Sequence, residues 1–170
     1  MKKWIVLLFI FWMHTALAQE KNGLASYFLV NVGYANLNGN YFKAGPEVYL
    51  VQSNGNLIGI NASANMAYFK DKFVVVPEIG VAYQFNARKL KNRTDPYREY
   101  INANFYSIRL NASPWNITPE IGISLISILE ANVGYSFEIQ KHDYTHFEGF
   151  KFGITLHIPT IALFGEKGFH

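Results

Sequence analysis

Five glutamates, Glu47, Glu78, Glu120, Glu130 and Glu138, fall at the polar phase of segments that alternate apolar residues with small or polar ones, and Arg109 and Lys151 fall at the same phase. Carboxylates and cations on one face of a sheet can act as acids and bases toward a substrate, or they can neutralise one another. An isolated carboxylate shut away from water cannot stay ionised cheaply. The expectation is therefore a lumenal polar network in which Glu47, Glu78, Glu120, Glu130 and Glu138 meet Arg109 and Lys151, linked by Asn and Ser side chains, and plug the interior of a barrel. A proton- or ion-conducting path through the same groups is the competing reading.

Other constellations are weaker. Ser136, His142, Asp143 and His146 supply the hydroxyl, imidazole and carboxylate of an acyl-transfer triad. They are divided between a strand and the connection after it, so the expectation is no catalytic residue and two solvated loop histidines. A metal site needs three or four converging ligands, and His142 with His146 falls short; no metal or cofactor is expected. The basic run from Arg88 to Arg98 reads as a solvated loop. Asn92-Arg93-Thr94 matches a glycosylation triplet, although triplets of this kind within strands read as lumenal polar residues.

The elements that must position these groups are strands. In the first, Phe28, Val30, Val32 and Tyr34 share one face and Asn31, Gly33 and Ala35 the other, the period of two that marks a sheet with unlike faces. A less regular second segment runs from Tyr41 to Gln52, and Ser53-Asn54-Gly55-Asn56 then offers the positive-φ residues of a tight hairpin. Ile58 to Tyr68 alternates cleanly and turns at Lys70-Asp71-Lys72, and Val74 to Phe85 follows. The fifth segment, Tyr100 to Asn111, breaks phase near Phe105-Tyr106, where a β-bulge is expected. Ile117–Leu125, Leu129–Ile139 and Phe150–Ile158 complete eight. Pro46-Glu47-Val48, Pro77-Glu78-Ile79 and Pro119-Glu120-Ile121 repeat in the second, fourth and sixth segments and put a carboxylate at equivalent heights. At eight strands a closed barrel is just filled by its own side chains.

Polarity alone does not say which face is inside, since a soluble ligand-binding barrel of the lipocalin type inverts the arrangement. Size decides. Gly, Ala, Ser and Asn suit a crowded lumen, whereas a wet outer wall carries long charged side chains. Charged residues make up 16% of the chain, and aromatic ones also 16%, against roughly a quarter charged in soluble domains. A lipid-crossing chain must satisfy its backbone internally, and a sheet does so by closing on itself. Tyr34, Tyr68, Tyr83 and Tyr135 fit the aromatic girdles at the two membrane surfaces. The fold expected is all-β, an eight-stranded antiparallel up-and-down transmembrane β-barrel. A net charge of +3 is too small and scattered for nucleic acid, and the absence of cysteine excludes disulfides. Residues 1–18, with Lys2-Lys3, an apolar run and Ala16-Leu17-Ala18, read as a cleaved secretory signal; residues 19–170 form the barrel domain, with a short tail from about 159.

On these alternating strands the chain resembles the small eight-stranded outer-membrane barrels of Gram-negative envelopes, the outer-membrane protein X type. The resemblance implies a location in the cell outer membrane, contact with its lipid and with the machinery that inserts such barrels, and a non-enzymatic structural or accessory role, with a protein partner in an envelope complex. Barrels of this type commonly end on a terminal-strand aromatic. This chain continues past Ile158-Pro159 to His170, so either the tail folds back or the insertion signal lies within Phe150–Ile158. Ile117–Leu125 and the terminal strand also look like segments of the lipid A deacylases, which implies a lipid-modifying enzyme as the alternative. The His-x-Ser pair of that family has no counterpart here, because Ser136 is followed by Phe137-Glu138-Ile139. A soluble periplasmic barrel binding a small apolar ligand is the third reading.

Overall fold

The computed structural model describes residues 25–52, 54–87, 103–143 and 145–160. The expected leader over residues 1–18, the basic run from Arg88 to Arg98 and the tail from 161 onward lie outside the described residues. Eight strands follow in chain order: β1 (Ala25–Asn36), β2 (Asn40–Val51), β3 (Leu57–Phe69), β4 (Lys72–Asn86), β5 (Phe105–Ala112), β6 (Asn116–Leu125), β7 (Leu129–Glu138) and β8 (Gly149–Pro159). Each pairs antiparallel with the next, and β1 closes onto β8 from Leu29↔Pro159 to Asn36↔Phe152. The chain is thus an all-β, closed, up-and-down barrel. Closure gives every described strand a neighbour on both sides, so none of them is an edge strand.

The turns follow from local chemistry. Lys70 and Asp71 take φ of 45° and 62° between β3 and β4, a tight reversal with both central residues left-handed, as hairpin twist favours. Between β2 and β3, Gly55 adopts φ 82° and its N–H donates to Gln52 O at 2.9 Å. The start of β1, the end of β8, this turn, the end of β4, the start of β5 and the β6–β7 turn share one end of the barrel, called the lower end below.

Strand pairing corrects the expected bulge. β5 pairs with β4 in unbroken register from Ile79↔Ala112 to Asn86↔Phe105, and equally with β6. The apparent phase break at Phe105-Tyr106 arises because Phe105, a large apolar residue, occupies a lumenal position, while Tyr106 points outward. The same fact amends the expectation that only compact hydrophilic side chains fill the interior. The lumen is closed at both ends by apolar groups. Leu29, Tyr49, Leu57, Ala103 and Phe105 pack together at the lower end. Leu37, Tyr41, Val74, Val76 and Phe147, with Ala35 and Ala67, close the upper end, where Trp115 stacks on Phe147 at 5.8 Å between ring centroids. Polar residues occupy the space between.

Outward positions are the reverse. Ile79, Val81, Ile108, Leu110, Ile121, Ile123, Val133 and Ile154 stand exposed around the waist. Aromatic residues gather toward the two rims: Tyr34, Phe42, Tyr68, Phe73, Phe137 and Phe150 near the upper one, Phe85 and Tyr106 near the lower.

Candidate functional site

The interior site begins with the three Pro-Glu steps. Because side chains alternate across a strand, a proline facing outward forces the next residue inward. Pro46, Pro77 and Pro119 are exposed, and Glu47, Glu78 and Glu120 are each buried in the lumen. Facing glycines provide room. A Cβ placed on Gly80 would overlap the amide oxygens of both Asn61 and Asn111, reaching in from β3 and β5, and one on Gly122 would lie 2.6 Å from Ser107 Oγ and 3.1 Å from Glu130 Oε1.

The charged groups assort into two clusters. In the lower one, Arg109 donates from Nη1 to Glu47 Oε1 at 3.0 Å and from Nη2 to Glu130 Oε2 at 2.8 Å. Asn31 Nδ2 donates to Glu47 Oε2 at 2.5 Å, and Ser107 Oγ to Glu130 Oε1 at 2.7 Å. His157 bridges the same two carboxylates, with Nδ1 3.0 Å from Glu47 Oε2 and Nε2 3.0 Å from Glu130 Oε2. The Tyr49 hydroxyl lies 3.3 Å from His157 Nδ1 and accepts from Gln84 Nε2 at 2.9 Å, which joins this cluster to the lower apolar cap.

The upper cluster centres on Glu78. Its Oε1 accepts from Lys43 Nζ at 2.7 Å and its Oε2 from Lys151 Nζ at 2.9 Å. Lys151 also lies 3.0 Å from Glu120 Oε1, and Asn132 Nδ2 donates to the other oxygen of Glu120. A cavity of about 20 Å³ lies between this cluster and the cap, bounded in part by Tyr41, Glu78, Phe147 and Lys151. By the same measure one water needs roughly 10–15 Å³, so the space suits a single water and no larger ligand.

Of the residues the sequence singles out, Glu47, Arg109 and Glu130 meet in the lower cluster and Glu78, Glu120 and Lys151 in the upper. Glu138 joins neither. It sits at the upper rim, where its Oε2 accepts the Phe147 N–H at 3.0 Å and lies 3.7 Å from His146 Nδ1. Two residues of the network were not singled out, Lys43 and His157. Both fall at the inward phase of their strands, His157 between the outward Leu156 and Ile158, and parity alone was the signal that would have found them.

The residues considered for acyl transfer are dispersed. Ser136 is fully buried in the lumen, 2.6 Å from Asn116 Nδ2 and 3.1 Å from Thr118 Oγ1. His142 packs edge-on against Trp115, with ring centroids 4.9 Å apart, and the His146 side chain is 80% exposed. Among the described residues no cluster of His, Cys, Asp or Glu has the arrangement of a metal site. No protein-family model and no curated protein matches this chain.

Proposed function

We propose that this chain is a non-enzymatic integral protein of the cell outer membrane, a plugged barrel that serves the envelope as a structural element or as an accessory to a larger complex. The observation that carries this reading is the inversion of the wall. Ions and amides are sealed inside, while large apolar side chains face out around the waist, Ile79 at 66% and Ile121 at 63% exposure. Soluble monomers rarely expose contiguous apolar patches beyond a few hundred Å², and a lipid annulus is the solvent that makes such a wall favourable. The rims of Tyr and Phe suit the two interfaces. In this reading residues 1–18 direct export, the insertion machinery assembles the barrel, and lipid is its first partner.

A soluble ligand-binding barrel would need an apolar cavity within, and here the described lumen is occupied by paired ions between two apolar caps. A lipid-modifying enzyme would need its nucleophile beside a base at the wall, and Ser136 is instead enclosed with Asn116 and Thr118. The test is fractionation followed by detergent extraction. The chain should partition with outer membranes and migrate faster on a denaturing gel before boiling than after. Recovery in the periplasmic soluble fraction, with no heat-dependent shift, would overturn the proposal. Release of acyl chains from lipopolysaccharide would overturn the non-enzymatic part, and a large steady conductance in planar bilayers the plugged part.

A further inference from the structure

The β6–β7 turn, Ile126-Ser127-Ile128, is the least expected local structure in the barrel. Ile126 and Ser127 adopt φ of 54° and 53°, and the Ile128 N–H donates to Leu125 O at 3.2 Å. This is the primed hairpin geometry that Asn-Gly fills at low cost. A β-branched residue there is a genuine outlier. Nonetheless Ile126 occupies it, 53% exposed and flanked by outward Leu125 and Leu129. In water this sequence would combine backbone strain with exposed hydrocarbon, and neither would have a compensating gain.

Two further observations give the turn a solvent. First, the apolar face of the wall runs into it without a break, from Ile121 and Ile123 through Leu125 and Ile126 to Leu129 and Val133, whereas at the β2–β3 turn it gives way to Gln52, Asn54 and Asn56 between Leu50 and Ile58. Second, β6 and β7 have 10 residues each, and β2 and β3, which carry the Asn54-Gly55 turn at the same end, have 12 and 13. Crossing the hydrocarbon takes roughly 9–11 tilted residues, so the shorter hairpin has none to spare to carry its turn clear. We infer that the Ile126-Ser127-Ile128 turn is submerged in the acyl chains of the leaflet at the lower end, an anchor that holds this side of the barrel deeper than the polar Asn54-Gly55 turn at the same end. The inference rests on the membrane reading above.

Backbone chemistry fits this placement. Polar backbone groups in hydrocarbon must be satisfied by the protein itself. Asn104 Oδ1 accepts the Ile126 N–H at 3.1 Å, Ser127 Oγ donates to Ala103 O at 3.1 Å, and Ile128 O accepts the His157 N–H at 2.7 Å. The turn is braced from the β4–β5 connection on one side and from β8 on the other.

The chain has no cysteine, so a single introduced one is a unique labelling site. Ile126→Cys, Asn54→Cys and Val133→Cys variants would carry a nitroxide in dimyristoylphosphatidylcholine vesicles, with collision rates measured against oxygen, which concentrates in lipid, and a nickel chelate, which stays in water. The expected result is oxygen-dominated collision at 126 and 133 and nickel-dominated collision at 54. Nickel-dominated collision at 126 with lipid-like behaviour at 133 overturns the inference and leaves the membrane reading standing. Shielding of 126 from both reagents also overturns it, in favour of a protein partner on the turn. Water-like behaviour at 133 removes the membrane reading, and the inference with it. Leu129→Cys provides the same measurement if the variant at 126 does not fold.

Discussion

The two ion clusters differ in how many ammonium or guanidinium groups serve them. In the lower one Arg109 alone is divided between two carboxylates, Glu47 and Glu130; in the upper one Lys43 and Lys151 share Glu78, and Lys151 also reaches Glu120. The difference is one of redundancy. Arginine presents a planar fork whose two arms serve two acceptors at once, a role that an ammonium on a flexible stem does not reproduce. Glu47 and Glu130 therefore both depend on one guanidinium, with His157 and neutral donors as their remaining contacts. In the upper cluster Lys151 touches both Glu78 and Glu120, so loss of Lys43 leaves every carboxylate with a cation.

Arg109→Met should give the largest effect, because it strips two buried carboxylates of their shared partner. Breaking a buried pair typically costs about 3–5 kcal/mol, read as a lowered urea midpoint of unfolding. An effect on Arg109→Met no larger than on Lys43→Met would dissolve the contrast. Gly80→Ala, which belongs to neither cluster, should come next: its methyl group would collide with two enclosed amides, and overpacking of this kind costs about 1–3 kcal/mol. Lys43→Met should be comparable, at about 1.5–3 kcal/mol, the range for a hydrogen bond to a charged group, since Glu78 retains Lys151 but its Oε1 loses its ammonium donor. Tyr49→Phe should be smallest, about 0.5–1 kcal/mol for a neutral hydroxyl contact. Measured beside Arg109→Met, it separates the role of charge in the lower cluster from that of packing at its cap.

Alternation made most of the wall legible. The period of two put Val30, Ile60, Val81, Ile121, Val133 and Ile154 on one face of their strands, and the small size of the residues opposite them told which face is inside. Where parity met a side chain of the wrong character, the reading failed. Phe105 looked like a bulge because lumenal residues were expected to be small, and the apolar caps at both ends were not foreseen for the same reason. Height along the axis was the other missing quantity. Parity places Glu138 and Glu130 on the same face of β7, but they lie eight residues apart, so one reaches Arg109 and the other only the rim. Strand tilt and stagger set which inward residues meet, and neither is written in the pattern of one strand.

The lower cluster recruits its members from β1, β2, β5, β7 and β8, and the seam joining β1 to β8 brings together segments more than a hundred residues apart in the chain. Contacts of such long sequence separation form late, after the entropy of loop closure has been met. Until β8 arrives, Glu130 and Glu47 have no imidazole between them, and the cylinder has an open slit. Assembly is therefore expected to be all-or-none: a chain stalled before β8 carries half-neutralised ions facing a gap, a species for proteases rather than a stable precursor.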